Sequence, residues 1–182
     1  MRNRTVLKGV LLLALAGALA ACSDEPQAET PQDEVGNETL AAAMAGNDDV
    51  SSMSRALQET GLAQVFDGSA AYTVLAPSND ALGALEQEQA LNDEEHRALL
   101  AAVLREHVLP GALTPEDIEN AIEVQNGAVS IQTMGDGTMR FAMDGEQLTV
   151  TDQNGRSANI SGDAILASNG VVIPIDGVLK TP

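Results

Sequence analysis

The sequence predicts an α+β fold, an antiparallel β-wedge or sandwich with helices packed on it, and three observations carry that expectation. In the first half of the chain apolar residues recur at helical spacing. Beyond Ile122 the pattern changes to short, roughly alternating runs separated by Asn126-Gly127, Asp136-Gly137, Asp144-Gly145 and Asn154-Gly155. Near the C-terminus Val171–Ile175 is an unbroken apolar run of strand length. With 182 residues, 44% of them apolar, the chain can bury one sizeable core, and a second large domain is not expected.

Arg2, Arg4 and Lys8 precede an apolar run from Gly9 to Ala21 that is too short to span a bilayer permanently, which is the grammar of an export signal over residues 1–21. The run closes on Leu19-Ala20-Ala21-Cys22, similar to a bacterial lipobox, and Cys22 is the only cysteine. An exported chain with one unpaired thiol needs a reason for it, and acylation supplies one. Cys22 is therefore the expected lipid attachment site, and the membrane the first expected partner. Ser23 after Cys22 resembles an outer-membrane sorting pattern, so the expected location is the cell envelope, on the outer membrane or the periplasmic face. Residues 22–36 hold Pro26, Pro31 and acidic or amide side chains with hardly an apolar group. Such a segment cannot offset its ordering entropy and reads as a flexible acidic tether to a domain over residues 37–182.

In that domain Leu40 and Met44, then Val50, Met53 and Leu57, fall at helical spacing, with Asp48 or Asp49 as the expected N-cap of the second helix and Leu62, Val65 and Phe66 as a further apolar turn. A stripe of this kind is core. Tyr72–Leu75 is β-prone and is broken by Ala76-Pro77, after which Ser78-Asn79-Asp80 offers acceptors to the free N–H groups of a helix through Leu82 and Leu85. Asn92-Asp93-Glu94-Glu95 opens another helix, whose Leu99, Leu100, Val103 and Leu104 form a buried stripe. Thr114-Pro115-Glu116-Asp117 opens a third, with Pro where its missing N–H costs nothing. Val129–Thr133, Met139–Met143, Leu148–Thr151 and Ala158–Ser161 then make an antiparallel meander, and with Tyr72–Leu75 and Val171–Ile175 the expected strands number about six. Val171–Ile175 reads as buried on both faces. Pro174 cannot donate to a ladder, which places it at a bulge or on the edge side of that strand.

Two of these stretches resemble the fasciclin domain family. Asn169, Gly170, Val171, Val172, Ile175, Asp176, Val178 and Leu179 match its C-terminal motif; Thr73, Val74, Ala76, Pro77, Ser78, Asn79 and Ala81 match a second, with Leu75 and Leu82 in place of aromatic residues. His107-Val108-Leu109-Pro110-Gly111 is similar to a third, with Glu106 where a Tyr is expected. The resemblance covers roughly Val35 to Leu179. It implies the family's fold, with Thr73, Ala76, Pro77, Asn79, Asn169, Gly170 and Asp176 as motif residues that hold the structure. It also implies an adhesive role. In relatives the residue matching His107 is credited with partner binding, although a hydrogen-bonded staple between a helix end and the sheet is the reading favoured here. Asp163-Ala164-Ile165 resembles an Asp-Ile pair used in adhesion, with Ala164 inserted, so Asp163 and Ile165 join His107 as candidate partner-binding residues.

The sequence lacks the motifs of several chemistries. It has no Gly-x-Ser-x-Gly elbow, no His-Glu-x-x-His and no phosphate-cradling glycine loop, and its only thiol is assigned to lipid. His96 stands among acidic residues with no second imidazole nearby and reads as a surface residue. Asp152-Gln153-Asn154-Gly155 has its glycine too early for a calcium loop and reads as a turn. No catalytic residue, metal or cofactor is expected. The 27 acidic residues against nine basic ones repel nucleic acid and anionic headgroups and favour cationic partners, and two Phe, one Tyr and no Trp leave little for base or sugar stacking. The expected function is a lipid-anchored envelope module for binding or adhesion without turnover, directed at a protein or an envelope or matrix polymer. The alternatives are an envelope enzyme or metal-dependent catalyst using His107 and carboxylates, and a passive acidic lipoprotein for stress or salt.

Overall fold

A computed structural model of the chain describes residues 36–89 and 94–179. The expected signal, Cys22 and tether up to residue 35, the helix start at Asn92-Asp93 and the side chain of His96 lie outside the described residues. In chain order, α1 (Leu40–Ala45), a 3-10 turn (Asp48–Val50), α2 (Ser51–Glu59) and a second 3-10 turn (Leu62–Asp67) lead to β1 (Tyr72–Pro77). Then come α3 (Asn79–Gln89), α4 (Glu94–Glu106), β2 (Val108–Pro110) and α5 (Pro115–Gln125). Strands complete the chain: β3 (Val129–Gln132), β4 (Thr138–Asp144), β5 (Gln147–Thr151), β6 (Ser157–Asn159), β7 (Ile165–Ala167) and β8 (Gly170–Ile175).

The fold class is α+β, as the sequence predicts. The turn-punctuated half forms one sheet in the order β3-β4-β5-β6, antiparallel throughout. A second sheet runs β2-β1-β8-β7, and here β1 and β8 are parallel, Tyr72 facing Gly170 and Pro77 facing Ile175. Among the described residues the strands number eight rather than about six. The two additional ones, β2 and β7, have three residues each, too few for alternation to register as a period.

Two apolar cores lie on opposite faces of the β1–β8 pair. Val74, Ala76 and Val172 pack with Leu40, Met44, Met53, Leu57, Phe66 and Leu104 from the helical half, while Leu75, Val171, Ile173 and Ile175 pack with Phe141, Val150, Ile118 and their neighbours from the other sheet and α5. β8 is thus buried on both faces because successive side chains serve different cores. Pro174 lies past the end of β7, which pairs β8 only as far as Val172. Its carbonyl accepts from the Ser161 N–H at 2.9 Å, so its ring nitrogen faces the same way, off the β1 ladder.

Local expectations fare unevenly. Thr114 caps α5 in a full capping box with Asp117, and Pro115 occupies the first turn. The expected Asp cap for α2 is not formed. Val50 precedes that helix without a side-chain bond, and the Ser52 N–H is taken at 2.9 Å by Asn79 Oδ1, from another segment. Leu99 is 39% exposed, at the margin of a stripe formed by Leu100, Val103 and Leu104.

Candidate functional site

Four of the motif residues, Thr73, Asn79, Asn169 and Asp176, act through side-chain bonds to main chain distant in sequence. Asn169 Oδ1 accepts from the Leu40 N–H at 2.8 Å, and its Nδ2 donates to the carbonyls of Phe66 and Gly68, both at 2.7 Å. One amide therefore holds the start of α1 and the end of the second 3-10 turn. Gly170 follows with φ 155°, and a Cβ there would collide with the Tyr72 carbonyl oxygen. Only glycine lets β8 lie this close to β1. Thr73 Oγ1 donates to the Gly111 carbonyl at 2.7 Å and accepts from the Leu113 N–H at 2.8 Å, which fixes the loop after β2. Asn79 adds an Nδ2–H bond to the Asp48 carbonyl at 2.6 Å. Ala76 and Pro77 are buried. Asp176 accepts from the Asn159 N–H and Nδ2, each at 2.7 Å, and so ties the end of β8 to the edge strand of the other sheet.

His107 is 1% exposed. Its Nδ1–H donates to the Val103 carbonyl at 3.0 Å, and its Nε2 accepts from the Leu179 N–H at 3.1 Å. A carbonyl can only accept and an amide can only donate, so these partners require the neutral ring with the proton on Nδ1. Burial pulls the imidazole below its ordinary value of 6.5, against the Val103 bond and the charges of Glu106 and Asp152, which favour the protonated form. The ring joins the end of α4 to the segment after β8 and offers no nitrogen to a surface partner.

Glu106, beside it, is 3% exposed and accepts from Thr133 Oγ1 at 2.7 Å. Its carboxylate lies so close over the β3–β4 turn that a Cβ on Gly135 or Gly137 would collide with it. Sequence reasoning did not find this buried acid, though a signal was present. Glu106 and His107 stand three and four residues after Val103, and so continue the buried stripe of α4. Asp152 is also buried, with its carboxylate accepting the N–H groups of Asn154 and Arg156 at 2.8 Å each. That is a turn closed on itself, and among the described residues no group of three His, Cys, Asp or Glu could hold a metal ion.

Asp163 is exposed on the loop before β7. With Ser161, Gly162, Pro174, Asn47, Asp49, Ser78, Asn79 and Asp80 it lines a cleft of about 440 Å³. Asp49, Asp80 and Asp163 give this concavity three carboxylates and, among the described residues, no basic side chain. Ile165, two positions on, packs in part against the helical-side core. The three candidate partner-binding residues therefore do not share a surface: His107 is interior, Ile165 half-buried and Asp163 exposed.

A family model for the fasciclin domain matches residues 48–182. The chain belongs to the fasciclin domain family. This fasciclin domain is 30% identical over 150 residues to protein sll1483 of Synechocystis sp., covering 79% of the chain and 74% of that protein. It is 32% identical over 127 residues to transforming growth factor-beta-induced protein ig-h3 of Sus scrofa, covering 68% of the chain but only 16% of that protein. Its fold is similar to a FAS1 domain pair from the insect cell adhesion molecule fasciclin I, with a TM-score of 0.61 and 23% identity over 74% of the chain and 46% of the pair. The chain thus spans less than half of the insect structure and about a sixth of the ig-h3 protein. Helix α1 precedes the matched stretch, yet its first N–H is held by Asn169 of the C-terminal motif.

Proposed function

We propose that this chain is a lipid-anchored adhesion module of the cell envelope that binds a partner without turning it over, and that the cleft beside Asp163 is its contact surface. Membership of the fasciclin family supports the adhesive reading, since the domain builds a cell adhesion molecule in insects. The observation that carries the contact site is the exposure of Asp163 on a concave surface shared with Asp49 and Asp80. Carboxylates gathered around a cleft that has no basic side chain among its described lining residues favour a cationic protein or polymer segment, and any such binding weakens as salt rises. The experiment is capture from envelope extracts at low and high salt, comparing the wild type with the Asp49→Asn, Asp80→Asn, Asp163→Asn triple variant. Loss of capture with unchanged thermal stability is expected. Equal capture by both proteins moves the contact elsewhere.

Attachment through Cys22 is the second half of the proposal, supported by the short apolar run that ends in Leu19-Ala20-Ala21-Cys22. Burial of acyl chains contributes about 0.8 kcal/mol per CH₂, so two or more chains make release negligible. Cys22→Ser is expected to move the protein from the membrane fraction to the soluble one. Unchanged fractionation overturns the anchor.

A further inference from the structure

The contact between His107 and Leu179 is chemically one-sided. At neutral pH the Leu179 N–H donates to Nε2 while Nδ1–H is held by the Val103 carbonyl. A proton taken from solvent onto Nε2 turns that nitrogen into a donor facing another donor 3.1 Å away. Turning the ring over gives no relief, because both nitrogens of an imidazolium carry hydrogen. The Leu179 N–H then has no acceptor, and a buried N–H without a partner is costly enough to move the segment that carries it. The side chain at stake is substantial: Leu179 is fully buried in the core between the two sheets.

We propose that this contact is an acid-opened latch, in which proton uptake by His107 releases Leu179 from the end of α4 while both sheets stay paired. The extent of opening is set by what precedes it. Asp176 remains clamped to Asn159 through its carboxylate and its own N–H, so release is confined to the residues beyond it, Gly177 to Leu179. Among the described residues the charges that face the ring are Glu106, from α4 itself, and Asp152, from the β5–β6 turn; both favour the protonated form and so make the latch easier to open. β1 brings main chain to this residue, the Leu75 N–H donating to the His107 carbonyl at 2.8 Å, a bond that protonation of the ring leaves intact. Burial of the ring works the other way and sets the opening below the usual histidine range.

The test is residue-resolved amide exchange by NMR on the full chain between pH 7.5 and 4.5, with rates corrected for their intrinsic pH dependence. Protection at Leu179 is expected to fall roughly tenfold or more on acidification, while the amides of Val172 and Ile173 keep theirs. In His107→Gln an amide oxygen can accept from Leu179 but cannot titrate, so the fall at Leu179 disappears. Should that variant fail to fold, the wild type still decides: the ring nitrogens of His107 should report the Nδ1–H form at neutral pH and titrate with the same midpoint as the Leu179 amide shift. The proposal is overturned by constant Leu179 protection while His107 titrates, by parallel loss at Val172 and Ile173, or by an unchanged pH response in His107→Gln.

Discussion

At the start of β8 the Asn169 side chain makes three bonds to main chain, none involving a group that changes charge between pH 4 and 9; beyond the end of the same strand, Asp176 and His107 hold the chain through a carboxylate and an imidazole. Both ends are pinned to distant segments, and both pins satisfy main-chain groups that the fold would otherwise leave without partners. The difference lies in what can undo them. The Asn169 end responds only to loss of the side chain or to crowding at Gly170. The far end responds also to protons. A strand buried on both faces cannot move without disturbing two cores, so a titratable pin is tolerable only where the strand has ended. That is where Asp176 and Leu179 lie.

Substitutions along β8 can break this comparison. Ile175→Ala removes a fully buried side chain from the inter-sheet core and is expected to cost about 2 to 5 kcal/mol in urea denaturation, equally at pH 7.5 and pH 5.5. A loss under about 1 kcal/mol would mean that apolar burial does not hold this end and that the polar pins dominate. Asn169→Ala leaves the Leu40 N–H and two carbonyls unserved, and a loss of about 2 to 3 kcal/mol is expected from the same measurement, with no change in pH dependence over that range. If acid enlarged that loss, the claim that this end is insensitive to protons would be wrong.

Asp176→Ala removes two bonds from an exposed carboxylate and should cost less, about 1 kcal/mol. It sharpens the picture in a second way. With the carboxylate bonds gone and only the main-chain N–H bond to Asn159 left, the opening at Leu179 should extend back along β8, seen as faster amide exchange at Ile175 at low pH. His107 sets the sign of the wild-type response. Its pKa is lowered in the fold, so its contribution is fully present above the ordinary value of 6.5 and is lost as pH falls from there towards the folded-state value. The smallest effect belongs to the exposed first turn of α5. Asp117→Ala should cost roughly 0.5 to 1 kcal/mol through loss of the capping box. The Thr114 N–H and hydroxyl lower the Asp117 pKa from its ordinary 3.8, so the wild-type advantage is present above that value and disappears as pH falls below it. Altered exchange at Leu179 in Asp117→Ala would show that the two regions are coupled after all.

Much of the fold was legible because its signals are local. The Asn-Gly and Asp-Gly pairs announce the meander, Thr114-Pro115-Glu116-Asp117 announces α5, and the unbroken run Val171–Ile175 announces a strand with two buried faces. The motif residues were legible as a set, but what each one holds was not. Of Ser78-Asn79-Asp80, read as acceptors for the start of α3, Ser78 takes the Ala81 N–H at 3.3 Å, while Asn79 holds the start of α2 and the Asp48 carbonyl.

By itself the sequence determined the class of fold, the order of its main elements and the turn chemistry between them, since those follow from residues a few positions apart. It also determined the strongly acidic balance that any partner must meet. Only the tertiary structure decided that β1 and β8 run parallel, that Glu106 and His107 are interior while Asp163 is exposed, and which main-chain groups Asn169, Asp176 and His107 serve. Those outcomes depend on hydrogen-bond partners up to 129 residues apart, and a donor's need for an acceptor carries no trace of which distant residue will meet it.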